Sequence, residues 1–296
     1  SEVLARFGPV ARAALAPFVV LNAGGIDERL SQAEAALRDG RIRLPLVVKP
    51  DIGCRGAGVK RVSDEAALRS LLPAYPQTAP VVLQNLVAAP GEVGIFHVRH
   101  PDEPRGRIVS MTLKYFPRVK GDGRRTLRRL IADDPRAGRL AHLYHPRLRP
   151  RLDEIVPAGE IVWLTRVGAH SKGAIFRDGR PWITPALEQR IDEIARDIDG
   201  FFIGRFDVRF SDFKALCAGR DITVIEVNGA GGEATHIWDS RFTLWRAWRD
   251  LARQYAMLFR VGRANVRRGA RLPGYGEFWH AWRREARLVA RYPFPD

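Results

Sequence analysis

Two carboxylates and an amide stand out by type and spacing. Asp207 closes Gly-Arg-Phe-Asp over 204–207, and Glu226 and Asn228 lie in Ile-Thr-Val-Ile-Glu-Val-Asn over 222–228. Both segments sit in apolar runs of strand character, 201–210 and 222–227. Residues two apart on a strand share a face, so Glu226 and Asn228 point the same way. A carboxylate between Ile225 and Val227 is costly unless something pairs with it. Mg²⁺ suits the position, because it takes oxygen donors in octahedral array, a few from protein and the rest from water and phosphates. The plainer alternative is a strand whose polar face is solvated.

A second constellation lies upstream. Leu-Val-Val-Lys-Pro over 46–50 is a short apolar strand ending in a lysine, followed by Gly-Cys-Arg-Gly-Ala-Gly over 53–58. Gly53, Gly56 and Gly58 let backbone N–H groups approach phosphate oxygens, with Lys49 as a point charge beside them. Lysine is scarce, 6 of 49 basic residues, so its place at this strand end carries weight. The spacing is neither G-x-x-x-x-G-K-[ST] nor G-x-G-x-x-G, and a tight turn is the alternative reading.

With Val-Leu-Gln-Asn-Leu over 82–86 and Gly91-Glu92, these segments resemble the ATP-grasp ligases in order and spacing. The stretches 114–127 and 155–160 resemble cyanophycin synthetase and the bifunctional glutathione synthetases. Asn-Gly-Ala-Gly-Gly-Glu-Ala-Thr-His over 228–236 resembles the region that closes the D-alanine–D-alanine ligase site. The resemblance spans roughly residues 44 to 240. It implies an α/β (α+β) chain in which two subdomains clasp ATP and activate a carboxylate as an acyl phosphate, which an amine then attacks. A thiol or hydroxyl acceptor is the second enzymatic reading.

The resemblance also implies roles. Asp207, Glu226 and Asn228 would hold two Mg²⁺ ions, with Mn²⁺ an admissible substitute. Arg205 would reach the transferring phosphate or the tetrahedral intermediate, its alternative being a salt bridge to Asp207. Lys49 and the loop of Gly53, Gly56 and Gly58 would cover the phosphates. Gln84 would meet the adenine amino group, Leu86 would offer backbone groups, and Glu92 would bind the ribose; a solvated hairpin end is the alternative for Glu92. Lys114, which matches a basic position in the cyanophycin-type pattern, would be a second phosphate contact. Ala-His-Ser-Lys-Gly over 169–173 stands where relatives have N-x-S-x-G-G, bringing Ser171 and Lys172 to the acyl-phosphate end. Gly231 and Gly232 would offer N–H groups to a substrate carboxylate. His236, with His170, would act as a base, unless it is structural.

These residues need elements to position them. Residues 1–43 read as a helix over 3–15, a strand at 18–21 and a helix over 27–38, a shorter lead than the resembled enzymes have. Residues 44–115 read as a lid subdomain with strands at 44–49, 58–62, 81–86, 93–99 and 108–114. Residues 116–240 read as the metal-binding subdomain, with a strand over 161–167 and an amphipathic helix over 184–199 bearing Leu187, Ile191, Ile194 and Ile198. Residues 241–296 read as a basic helical extension. Leu244, Trp248, Leu251, Tyr255 and Leu258 form one helical stripe, and Trp279, Trp282, Ala286 and Val289 another. The stripes read first as core-packing faces; the alternative is an Arg/Trp helix lying on anionic membrane.

Composition bounds the rest. The net charge of +16 falls in two blocks, 118–151 and 241–296, which points to an anionic partner: an acidic substrate, a lipid surface or nucleic acid. Aromatic–glycine signatures of sheet-based RNA readers are missing, so nucleic acid is not expected. Two cysteines make no disulfide framework, and neither a signal peptide nor a spanning helix is visible, so the expectation is a cytoplasmic chain with a possible peripheral membrane contact. Expected partners are a small-molecule carboxylate and an amine, and a homodimer is admissible. The competing non-enzymatic reading is a degenerate ATP-grasp scaffold acting through its Arg/Trp tail.

Overall fold

The computed structural model describes residues 6–53 and 56–295. Strands β1 (Phe18–Leu21), β2 (Leu46–Pro50), β3 (Lys60–Val62) and β4 (Val81–Asn85) form an antiparallel sheet in the order β1-β4-β2-β3. Helices α1 (Pro9–Ala14), α2 (Ile26–Arg38) and α3 (Glu65–Leu71) precede or interleave them. The strands alternate, so Leu46, Val48 and Leu83 face a core shared with Ala33 and Ala36 of α2 and Leu68 of α3. Asp64 caps α3 by accepting from the Ala67 N–H at 2.8 Å.

The larger sheet is built from β5 (Gly91–Val98), β6 (Arg107–Tyr115), β9 (Ile175–Asp178), β10 (Ile203–Phe210) and β11 (Thr223–Asn228), in the order β11-β10-β5-β6-β9. One face buries Val93, Ile95, Met111, Phe206 and Val208 against α1 and α6 (Pro185–Arg196), which presents Leu187, Ile191 and Ile194. The expected amphipathic helix is therefore the main cover of the sheet. Burying that apolar face turns Glu92, Lys114, Arg205, Asp207 and Arg209 to the other side, toward the β1–β4 sheet. A third cluster joins β7 (Arg118–Lys120) and β8 (Ile161–Trp163) to α4 (Leu127–Asp133) and α5 (Ala141–Leu148).

Three expectations change here. Of the helix expected over 3–15, Pro9–Ala14 is helical and 6–8 is not, while residues 1–5 lie outside the described residues. Strands β5 and β6, expected in a lid subdomain of 44–115, pair with β10 and β9 instead, while β1 of the 1–43 region completes the four-stranded sheet of β2, β3 and β4. The β5–β10 pairing joins residues about 110 apart in sequence, which local patterning does not encode. The strand over 161–167 ends at Trp163. There the next carbonyl, that of Leu164, accepts from Arg147 Nη1 at 3.0 Å rather than continuing a ladder.

After the short α7 (Phe213–Cys217), the C-terminal helices α8 (Leu244–Arg267) and α9 (Tyr275–Val289) also depart from expectation. α8 buries Asp250, Gln254, Val261 and Ala264, whereas Leu244, Trp248 and Tyr255 of the expected core stripe are exposed. Trp279 and Trp282 of α9 are exposed too. The helices carry apolar residues on more than one face, so a stripe alone does not say which face packs.

Candidate active site

The two sheets face each other across a cleft of about 770 Å³. Its floor is the polar face of β5, β6, β10 and β11, and the underside of β2 and β4 lines the other side. In the β10–β11 register Asp207 stands opposite Glu226, and Arg205 opposite Asn228. The pairing then shifts, with Val208 opposite Val224, so Ile225 is an extra residue on β11. The Ile225 carbonyl, released from the ladder, accepts from Lys49 Nζ at 2.9 Å. Lys49 also donates to Gln84 Oε1 at 2.9 Å, so one ammonium joins both sheets.

The floor is a buried charge network. Lys114 Nζ lies 2.9 Å from Glu92 Oε1 and 3.0 Å from Asp207 Oδ1. Arg205 Nε lies 3.0 Å from Asp207 Oδ1, and Arg209 Nη2 2.7 Å from Glu92 Oε2. Burial alone would raise Asp207, but Lys114 and Arg205 outweigh it and hold the carboxyl below its usual range. Burial would likewise lower Lys114 and Arg205; the facing carboxylates outweigh it and both stay charged.

Glu226 is different. It is accessible from the cleft, yet neighbouring atoms crowd it and Asp207 faces it, so its carboxyl is pushed up, chiefly by desolvation and then by that like charge. Lys49 is pushed down by burial, with Glu226 and Asp207 opposing. The Asn228 amide satisfies its neighbours with its nitrogen 3.2 Å from Glu226 Oε1 and its oxygen 3.1 Å from Arg205 Nη2. Two facing carboxylates, one of them disfavoured in its charged form and open to solvent, fit a divalent cation that would also take water and phosphate oxygens. A cage of three or more His, Cys, Asp or Glu does not occur among the described residues, so the protein's share would be the two carboxylates and the amide, rotated to offer its oxygen.

The structure brings together most residues singled out from the sequence. Lys49, Gly53, Gly56, Gln84, Leu86 and Glu92 line the cleft, as do Lys114, Ser171, Arg205, Asp207, Glu226 and Asn228, and Gly231 and Gly232. Both readings of Arg205 meet in one place, since it pairs with Asp207 and still borders the cleft. Glu92 is buried between Lys114 and Arg209, which excludes the solvated hairpin end. The Gln84 oxygen is already occupied by Lys49, and the Leu86 N–H donates to the Pro45 carbonyl at 3.0 Å. Nucleotide contacts there would have to displace the first and use other atoms of the second.

Three residues are placed elsewhere. Gly58, at φ +68°, lies outside the cleft: Tyr75 donates to its carbonyl at 2.6 Å, and an added Cβ would come 2.9 Å from Tyr292 Cβ. Lys172 does not line the cleft; its ammonium sits 5.7 Å from the centre of the Phe294 ring. His236 is buried behind the floor, with Nδ1 2.7 Å from Ser110 Oγ and Nε2 3.1 Å from Asp250 Oδ2. Burial lowers its imidazole, so it is a neutral link between β6 and α8 rather than a base facing substrate. His170 does border the cleft, stacked at 5.8 Å on Trp238. Cys54 and Arg55, between the loop glycines, lie outside the described residues.

Sequence reasoning missed the clamp on the glycine segment after β11. Gln254 of α8 accepts from the Ala234 N–H and donates to the Gly232 carbonyl, both at 2.9 Å. A polar residue in an arginine-rich helix gives no signal of such a role. Gln254→Leu leaves the buried Ala234 N–H and the half-buried Gly232 carbonyl without this partner, and we expect it to cost about 1–3 kcal/mol. If Gly231 and Gly232 bind substrate, its KM should rise more than its kcat falls. Steady-state kinetics and a urea melt on one sample check both parts.

Comparisons with known proteins are narrow. No family model matches the chain, and no curated protein matches it. Among solved structures it is similar to the bifunctional glutathione synthetase from Pasteurella multocida, at 16% identity and TM-score 0.40, covering 86% of this chain and 35% of that one. It is also similar to D-alanine–D-alanine ligase from Bacillus anthracis complexed with ATP, at 14% identity and TM-score 0.44, covering 87% and 64%. The VanG D-Ala:D-Ser ligase from Enterococcus faecalis gives 13% identity and TM-score 0.43, covering 84% and 59%. The chain thus spans between about a third and two thirds of their lengths. Two of the enzyme types that the motifs resemble recur among these structures, and at such scores the likeness says nothing of chemistry.

Proposed function

We propose that this chain is an ATP- and Mg²⁺-dependent ligase that activates a carboxylate and joins it to an amine. The observation that carries the reading is the facing pair Asp207 and Glu226, set among Lys49, Lys114 and Arg205 on the floor of a cleft between two sheets. That arrangement concentrates positive charge around two facing carboxylates, which suits a metal-bound triphosphate better than a neutral ligand. Asp207, Glu226 and Asn228 would hold the divalent ions, which when bound neutralise charge on the transferring phosphoryl group.

The chain's own groups supply the rest. Lys49, held between the sheets by Gln84 and Ile225, would give up those partners to a phosphate oxygen and so couple nucleotide binding to closure. Arg205 keeps its charge beside Asp207 and faces the same space as Gly231 and Gly232. Backbone N–H groups at those glycines would orient the substrate carboxylate, and the closed sheets would exclude water from an acyl phosphate. The direct test is ADP release across a panel of carboxylates and amines, with hydroxylamine as a general trap. Formation of a hydroxamate that requires ATP and one carboxylate supports the reading. ATP hydrolysis at one rate, indifferent to any carboxylate, would count against it.

A further inference from the structure

α8 has three faces. Asp250, Gln254, Val261 and Ala264 turn inward, against the glycine segment and the central sheet. Away from that contact stand Trp245, Trp248, Tyr255 and Phe259, at 76%, 52%, 57% and 68% exposure. Steps of 3, 7 and 4 residues set these rings in one line along the helix. Arg246, Arg249, Arg260, Arg263 and Arg267 form an exposed strip beside the rings. α9 repeats the arrangement, with Tyr275 97% and Phe278 64% exposed, Trp279 and Trp282 next to them, and only Leu288 of the helix buried. A helix whose aromatic stripe packed on the body would bury it; these rings face water.

The charge around the rings indicates what covers them. Residues 244–291 contain 12 arginines, no lysine and 3 acidic residues. One of the acidic residues, Asp250, is buried and paired with His236 and Arg180. A second copy of the chain would set arginine strips of like sign against each other. An apolar protein partner would leave the guanidinium groups without counter-charge. A nucleic acid would satisfy the charge, but stacking readers offer rings from a groove or sheet, whereas these project from two helices. An anionic bilayer answers both features, since aromatic rings settle at the headgroup–acyl boundary and arginines pair with lipid phosphates.

We propose that α8 and α9 together form an interfacial surface that seats the protein on an anionic lipid bilayer. The protein lies on the membrane by this surface rather than through it: no helix among the described residues is long and apolar enough to cross. The rings enter the interface and the arginine strips flank them.

The test uses the full chain with vesicles of phosphatidylcholine, with and without phosphatidylglycerol. Cosedimentation that needs phosphatidylglycerol, weakens as salt rises, and comes with a blue shift of tryptophan emission and quenching by brominated lipid supports the proposal. The variant Trp245→Ser with Phe259→Ser, and the variant Arg260→Glu with Arg263→Glu and Arg267→Glu, should each lose at least about tenfold in apparent affinity. These side chains are exposed, so melting curves should match the wild type. Three results would overturn it: no sedimentation at low salt, lipid-free dimers that already shield the tryptophans, or single-stranded RNA that displaces the vesicles.

Discussion

Glu226→Gln should reduce ATP-dependent turnover by about 10²–10³-fold while leaving the fold intact. The substitution removes one charge from the facing pair and keeps the side chain's shape, so on the proposed reading a divalent ion would trade a charged carboxylate oxygen for a neutral amide oxygen beside the transferring phosphoryl group. Stability should move the other way. The Glu226 carboxyl is raised in the folded protein, so just above its unfolded value the native state holds a proton that the unfolded chain releases. Stability from this group is therefore lost as pH rises through that window. Glutamine imitates the protonated form, so without nucleotide the variant should melt at or above the wild-type temperature near neutral pH. Added Mg²⁺ should raise the wild-type melting temperature more than that of the variant, a readout independent of turnover. Wild-type turnover in Glu226→Gln would remove the basis for the metal assignment.

Much of this site was legible because strand geometry is simple. Glu226 and Asn228, two apart in an apolar run, had to share a face, and Lys49 at a strand end had to meet the following loop. What strand periodicity cannot supply is the partner strand. Nothing in residues 91–115 announces that β5 pairs with β10, so Glu92 was not seen to lie between Lys114 and Arg209. The bulge at Ile225 was equally hidden, although it frees the carbonyl that holds Lys49. His236 and Lys172 show the converse failure. Both sit in segments whose order matched the resembled enzymes, yet tertiary packing turned one toward Asp250 and the other toward Phe294. The tail failed for a different reason: a helix with apolar residues on two sides looks in sequence like a helix with one.

Lys114→Met should be the most destabilising single change in the cleft. Lys114 is buried and lies about 3 Å from both Glu92 and Asp207, so its removal leaves two buried carboxylates short of one counter-charge. Arg209 and Arg205 remain as partners, which places the cost near the lower end for a broken buried pair, about 3 kcal/mol. The pH dependence gives the cause a signature. Asp207 is depressed in the folded state, so its contribution is present above the unfolded value and lost as pH falls through the folded one. Without Lys114 that depression shrinks, and acid unfolding should begin at a higher pH. Lys114 is itself raised, so its contribution is full below the unfolded lysine value and is lost as pH rises through the folded one. The wild type should accordingly have an alkaline limb that the variant lacks. Lys172→Met is the matched control: it removes a lysine held by one aromatic ring outside the cleft, and should cost no more than about 1 kcal/mol. Urea melts of both variants across the pH range check the pair. Equal stabilities for the two would show that the charge network under the cleft does not stabilise the fold.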